Sequence, residues 1–320
     1  MRLSIVLPTY NAQKDLVRFF ESVNIQTLPK KEFELLVVDG GSTDKTREIA
    51  RKNGAKVIHN PYKLTEPGVA LGFQKAKGDL VMVLAADNLF KDPDALETMI
   101  RVFGDKTVVG AFPKHDTGSG DNWYSWYLNT FTDPFTHFVY GNAANTRTFR
   151  RVYKTVTHTS VYDVYDYSSF PVRPIIALAQ GFTIRKKFLP ARKEISDDIL
   201  SIYKMIDENK PMAYVHSVIL YHYTIRDAKQ FISKLRRGVE NALLRGDSGI
   251  TKRKVYMTPS QRIRMVLFFP YAFSLVLPLL QSIINAVRFR EAAWLIHWFM
   301  VFLSATVITV HACSLVVRRI

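Results

Sequence analysis

Apolar residues follow two different rhythms along the first hundred positions of the chain. Four short runs, Leu3–Leu7, Leu35–Val38, Val57–Ile58 and Leu80–Leu84, are continuous and rich in branched aliphatics, as buried strands are. Between them the period changes to that of a helix. Leu16, Phe19, Phe20 and Val23 share one helical face. A second helix is expected to start at Ser42, with Asp44 in its first turn, and to stop at Asn53-Gly54. A third follows Asp92-Pro93, with Leu96, Met99, Ile100 and Phe103 at helical spacing. Such alternation predicts an α/β fold with a mostly parallel sheet covered on both faces. Ligands of these sheets lie outside the carboxyl ends of the strands. The segments opening at Pro8, Asp39, Asn60 and Ala85 are therefore where chemistry is expected.

The pattern breaks down from about Lys114 to Pro174, where Trp123, Tyr124, Trp126, Tyr127, Phe131, Phe135, Phe138 and Tyr140 crowd together. Two readings are open: an irregular part of the core, or a surface at a membrane boundary or around a lipid-bearing substrate, since Trp and Tyr favour that boundary. After Asp227 a helical stripe of Phe231, Leu235, Val239 and Leu243 stands apart from Lys234, Arg236, Arg237 and Arg245. Residues 265 to 287 and 292 to 317 contain no charged side chain. At about 1.5 Å per residue, each is long enough to cross a hydrocarbon layer about 30 Å thick. Arg288 to Glu291 would join them as a hairpin, and Pro270, Pro278 and His297 leave a re-entrant or shallow hairpin open. The expected organisation is an α/β domain over 1–225, with 114–175 as its aromatic interface segment. A basic amphipathic region follows over 226–262, then a two-helix membrane hairpin over 263–320.

Charge sharpens this picture. The chain has 44 Lys and Arg against 28 Asp and Glu, a formal balance of +16. Residues 226 to 264 hold eleven basic and three acidic side chains, half of the excess in one stretch beside the apolar segments. That placement favours an anionic membrane surface over nucleic acid, for which no recognition motif appears. Lys252-Arg253-Lys254 adds to the same attraction, and a basic amphipathic helix beside apolar segments suits a position flat on the lipid. Cys313, the single cysteine, forms no internal disulfide and no zinc cluster, so a reducing, cytosolic setting is expected for the soluble part. M-R-L-S-I-V-L-P reads as a first strand and not as a secretory signal.

The chemistry sits at the strand ends. S-I-V-L-P-T-Y-N (4–11) ends the first strand, and Tyr10 there could stack on a base. In V-V-D-G-G-S-T-D-K-T (37–46), Asp39 ends the second strand, two glycines let the backbone turn and Ser42 is expected to cap the next helix. No G-x-G-x-x-G follows the first strand, which speaks against a dinucleotide cofactor. V-M-V-L-A-A-D-N ends the fourth strand in Asp87, with Asn88 as the other register. Lys63, Arg185 and Lys186 are candidate partners for a diphosphate. Asp197 and Asp198 follow Ser196, where acids would also complement a helix dipole.

Together with A-K-G-D (76–79), Q-G-F-T-I-R-K-K-F-L (180–189), S-D-D (196–198) and V-I-L-Y-H (218–222), these segments resemble glycosyltransferase family 2, inverting enzymes of GT-A fold, in order over roughly residues 3 to 222. The resemblance implies that Pro8, Thr9, Tyr10, Asn11, Asp39 and Gly40 hold the nucleotide part of a nucleotide sugar, with Ala86, Asp87 and Asn88 beside the diphosphate. It implies Mn²⁺ or Mg²⁺ on Asp87, with His222 at a position that closes the metal shell in some relatives. The family's second acid, two residues before Asp87, is here Ala85. One carboxylate suffices in principle, because Mg²⁺ often takes one or two from protein and completes its shell with phosphate and water. By the same resemblance Asp198, paired with Asp197, is the general base, and Lys204 lies where the family carries a basic residue. The expected protein is a glycosyltransferase on the cell membrane, its catalytic domain facing the cytoplasm. Polyprenyl- or dolichyl-phosphate sugar transferases are the natural comparators, with GDP-mannose or a UDP-sugar as donor. The alternative, suggested by Ala85, is a non-catalytic, membrane-bound nucleotide-sugar-binding scaffold.

Overall fold

The four apolar runs become four neighbouring strands of a ten-stranded sheet among the described residues. The computed structural model describes residues 1–190, 199–245 and 253–317. In it, β1 (Leu3–Thr9), β2 (Phe33–Asp39), β3 (Lys56–His59) and β4 (Leu80–Leu84) lie side by side in the order β3-β2-β1-β4, all parallel. A short β5 (Asn88–Phe90) follows, then β6 (Gly110–Asp116), β7 (Lys154–His158), β8 (Asp163–Asp166), β9 (Gln180–Arg185) and β10 (Met212–His222). These extend the sheet as β4-β9-β6-β10-β8-β7, with β5 paired to β10. Because β9 is antiparallel to both β4 and β6, and β10 is parallel to β6, the strands β1–β4, β6 and β10 all point one way. Their carboxyl ends, at Thr9, Asp39, His59, Leu84, Asp116 and His222, fall on one edge.

Both faces of the parallel part are covered. Leu16, Phe19, Phe20 and Val23 of α1 (Gln13–Asn24) join Leu3, Ile5 and Leu7 in the main core. On the opposite face α3 (Thr65–Lys75) follows α2 (Thr46–Lys52) and lies very close to the sheet. A Cβ at Gly72 would come within 2.2 Å of Val6 Cγ1, so only glycine permits this approach. α4 (Ala95–Arg101) matches the helix expected after Pro93 and buries Leu96, Met99 and Ile100. The helix expected from Ser42 begins four residues later, at Thr46. Ser42 is committed to Asp39 and to the backbone of Asn11, and Asp44 takes over the helix entry by accepting from Thr46 N at 3.0 Å.

Two compact units divide the chain. The first comprises Met1–Asp116, Tyr153–Ser169 and Ile176–His222, and contains the whole sheet together with α7 (Leu200–Asp207). The second comprises Thr117–Val152, Phe170–Ile175 and Tyr223–Ile320. Its first helices are α5 (Trp123–Phe131), capped by Asn122, and α6 (Pro134–Tyr140), capped by Asp133. The aromatic tract is mainly core here: Tyr127 and Phe131 pack with Phe231, Trp294 and Met300. Trp123 remains half-exposed, stacked on Tyr124.

α8 (Ala228–Glu240) is capped by the Asp227 carboxylate on Gln230 N and buries Phe231 and Val239. The expected stripe stops there. A π turn over Asn241–Arg245 shifts the phase of the chain, and Leu243 emerges 47% exposed. The first apolar segment is also broken: α9 (Pro259–Phe273) and α10 (Val276–Phe289) meet at 96°. Leu275 takes a left-handed φ of 57° at the break. Pro278 explains the position, since its ring would clash with the carbonyl four residues back, at Ser274. The second segment is unbroken. Ala292–Val317, which includes α11 (His297–Val317), is the one helix among the described residues long and apolar enough by itself to cross a membrane.

Candidate active site

Three loops at the carboxyl edge of the first unit are tied together by short polar side chains. Asp39, only 1% exposed, accepts from the backbone N–H groups of Gly41 (3.1 Å) and Ser42 (3.0 Å) through Oδ2. Its Oδ1 accepts from the Ser42 hydroxyl and, at 3.5 Å, from Thr9 Oγ1, while Arg47 Nε lies 3.8 Å from Oδ2. Gly41, at φ 90°, makes the turn that brings both N–H groups round to the carboxylate. Asn11, itself at φ 48°, completes the link: its N–H donates to Ser42 Oγ at 2.9 Å and its Oδ1 accepts from Thr43 N at 2.8 Å. Asp44 reaches the same strand-end loop through Gln13 N. Burial is the largest single influence on Asp44 and opposes its ionisation, but the hydrogen bonds from Thr46 and Gln13 together outweigh it and hold its carboxyl below the usual range.

The β3 loop closes on the same place. Asn60 N donates to the Asp39 carbonyl at 2.8 Å, and Gly40 lies with its virtual Cβ 3.4 Å from Lys63 Cα. Lys63 adopts a left-handed φ of 57° and is exposed. Tyr10 projects from this cluster, 59% exposed, above the buried Thr9 and the partly buried Pro8. An exposed aromatic beside an exposed lysine and a rigid polar loop suits a base and a phosphate.

Asp87 occupies the next strand end. Asn88 N donates to the Ala85 carbonyl at 3.1 Å and Asn88 Oδ1 accepts from Ala85 N at 3.2 Å, closing a tight turn through Ala86 and Asp87. Asn88 then enters β5, fully buried, and pairs with His222 of β10. That register sets Asp87 beside His222, with Oδ2 and Nε2 3.8 Å apart. Two atoms each about 2.1 Å from one ion can lie up to about 4 Å apart, so a carboxylate and an imidazole at this separation fit a shared divalent cation. Where the second acid of the family would stand, Ala85 contributes only its backbone to the turn.

Arg185 does not join these residues. It pairs with Leu80, at the amino end of β4, and therefore lies on the opposite edge of the sheet. Its guanidinium donates to the carbonyls of Val108, Phe103 and Asp105 at 2.8, 2.8 and 2.9 Å and lies over the Phe103 ring. The expected diphosphate contact is replaced by a structural one, because β9 runs antiparallel and carries its last residue away from the site. Lys186, the next residue, follows it there. Asp197 and Asp198 lie outside the described residues, just before the buried Ile199 and α7. Two residues not singled out from the sequence do reach the edge. The His115 ring lies 6.0 Å from that of His222, tilted by 58°, and its Nε2 bonds the Gln180 carbonyl, while Asp116 pairs in register with Tyr221 and lies 3.4 Å from Lys114. Their signal was available in P-K-H-D (113–116), a polar ending to the apolar run V-V-G-A-F.

With this geometry in place, comparison with known proteins is informative. Residues 4–161 match the sequence model of Glycosyl transferase family 2. The chain carries a family 2 glycosyltransferase domain. This family 2 domain is 29% identical over 129 residues to dolichol-phosphate mannosyltransferase of Pyrococcus furiosus, covering 38% of this chain and 36% of that protein. A longer, weaker match joins it to the O-antigen chain rhamnosyltransferase WbaN of Salmonella anatum, 25% identical over 241 residues, or 71% of this chain and 69% of the other. The matched part of the chain spans about two fifths of the length of the first of its curated relatives. In fold the chain is similar to the mannosyltransferase PcManGT of Pyrobaculum calidifontis, solved with GDP-Man and Mn²⁺. The TM-score is 0.53 at 14% identity, over 96% of this chain and 86% of that one. The family 2 domain therefore has the GT-A type of α/β fold.

Proposed function

We propose that the chain is a membrane-associated, inverting glycosyltransferase. It moves a sugar from a nucleotide sugar to a lipid-linked or polyprenyl-phosphate acceptor at the cytoplasmic face. The observation that carries this reading is the Asp87–His222 pair at 3.8 Å, on the same sheet edge as the Thr9–Asn11–Asp39 cluster. GDP-mannose is the preferred donor and a UDP-sugar the other candidate. Support for mannose comes from the dolichol-phosphate mannosyltransferase relative and from the GDP-Man and Mn²⁺ of the similar structure.

In this reading Tyr10 and the loops shaped by Asn11, Asp39 and Gly40 hold the nucleoside, and Lys63 pairs with the diphosphate. Asp39 acts mainly by organising the loop, since its carboxylate already accepts several hydrogen bonds. Asp87 and His222 would hold Mn²⁺ or Mg²⁺, which when bound stabilises negative charge on the departing diphosphate. An acceptor oxygen attacks the anomeric carbon from the side opposite the diphosphate; the glycosidic bond forms as the bond to the diphosphate breaks, with inversion. A hydroxyl acceptor gives up its proton, for which Asp198 is the proposed base and Asp197 its neighbour. A lipid phosphate, with a second pKa of about 6, is mostly ionised at neutral pH and needs that base less. Asp198→Asn should therefore nearly abolish transfer to a hydroxyl acceptor and reduce transfer to a lipid phosphate only modestly. Full activity on a hydroxyl acceptor would rule out this base.

Calorimetric titration with a panel of nucleotide sugars, with and without Mn²⁺, tests the donor site. One donor class should bind only with metal, and Asp87→Ala should lose that dependence. Equal binding in EDTA would reject the metal assignment.

A further inference from the structure

A second group of metal-type ligands lies elsewhere in the first unit, on the strands at the far side of the sheet. His158 ends β7, Asp163 opens β8 and His216 lies within β10. The ladder explains why they meet. His158 is the direct cross-strand partner of Asp163, and Asp163 is the partner of Tyr214, two residues before His216. Direct partners and residues two apart share a face of a sheet, so all three side chains gather on one side. One ligand atom from each lies within 4.8 Å of the other two. His158 Nδ1 is 2.6 Å from Asp163 Oδ1, and the two imidazole rings are 6.3 Å apart.

Two further features support a site over a chance surface cluster. Both histidine-bearing strands depart from regular pairing here: β7 shifts register between Thr155 and Thr157, and β10 between Val215 and Ile219. Bulges of this kind re-aim side chains. The supporting hydrogen bonds are also those that ligands need. Tyr165 OH donates to the second oxygen of Asp163 at 3.0 Å, and the Thr159 carbonyl lies 3.3 Å from His216 Nε2. A carbonyl accepts only, so that contact selects the tautomer with its lone pair on Nδ1. Asp163 is 2% exposed and His158 60%, which gives an anchored carboxylate with one imidazole at the solvent boundary.

We propose that His158, Asp163 and His216 form a second metal site, selective for a divalent transition ion of the zinc class. Two imidazoles and one carboxylate favour Zn²⁺, Co²⁺ or Ni²⁺ over Mg²⁺, which wants oxygen ligands. Solvent completes the shell on the His158 side. The ion would pin the β7–β8 hairpin, at the edge of the sheet, onto β10. The site is separate from the Asp87–His222 pair. His222 is six residues farther along β10, up to about 20 Å at strand spacing.

The test uses the full-length chain, stripped of metal and kept in excess Mg²⁺. Co²⁺ is titrated while its visible absorption is followed, and Zn²⁺ is then added as competitor. The wild type and Asp87→Ala should each bind one Co²⁺ at this site, displaced by Zn²⁺. His158→Ala and His216→Ala should bind at least tenfold more weakly. Zn²⁺ should raise the melting temperature of the wild type but not of His158→Ala. His158 is exposed, so this variant folds, and circular dichroism checks it. Absence of cobalt binding in the wild type, unchanged affinity in both histidine variants, or loss of the signal in Asp87→Ala would each overturn the proposal.

Discussion

Asp87 and Arg185 carry opposite consequences at the residue scale. Asp87 is the one carboxylate of the A-A-D-N turn and sits beside His222. Asp87→Ala should lower metal-dependent turnover by at least a hundredfold, and His222→Ala should raise the Mn²⁺ concentration for half-maximal activity about tenfold. An Mn²⁺ titration of initial rates checks both. Arg185 bonds three carbonyls on the opposite edge. Arg185→Ala should leave donor affinity nearly unchanged and cost about 1–3 kcal/mol of stability in urea unfolding, because buried acceptors lose their partner. A large loss of donor affinity with unchanged stability would return Arg185 to the site.

Elements show where hydrophobic pattern is a sufficient guide and where it is not. β1 to β4, α1 and α4 were legible because each has a single dominant period and an apolar face to bury. The start of α2 was not, since Ser42 serves a long-range bond to Asp39 and Asn11 in place of a local cap. Leu243 and the break at Leu275 depend on a π turn and on a proline acting four residues upstream, which average periodicity does not register. In the site, strand-end residues were legible from chain order, but the Asp87–His222 pairing required the β5–β10 register. α6 adds a prediction of its own. His137 is partly buried, its Nδ1 shielded from solvent among Phe131, Trp294 and His297, and this burial pushes its pKa down to about 4 from 6.5, with a hydrogen bond to Phe131 opposing. Between those values the unfolded chain binds a proton that the folded chain refuses. Stability is therefore complete above pH 6.5 and falls as the pH drops toward 4, by up to roughly 3 kcal/mol. His137→Phe should flatten this part of the pH profile in thermal unfolding.

At the scale of the whole molecule, the proposed function needs both a donor site and attachment to lipid. Lys229, Arg236 and Arg237 are exposed on α8, and each is worth about 1 kcal/mol near an anionic surface. Replacing all three with Gln should weaken sedimentation with phosphatidylserine vesicles about a hundredfold at low salt, with little change on neutral vesicles. Unchanged binding would assign attachment to the apolar helices alone. The central claim, sugar transfer at a metal-dependent family 2 site, has a direct test. The full-length chain is incubated with nucleotide sugars, Mn²⁺ and membrane lipids, and nucleotide release and lipid masses are followed together. The account predicts release of one nucleoside diphosphate for each lipid that gains one sugar mass, and loss of both signals in EDTA and in Asp87→Ala. Donor binding without nucleotide release or glycosylated lipid would contradict it and identify a binding scaffold.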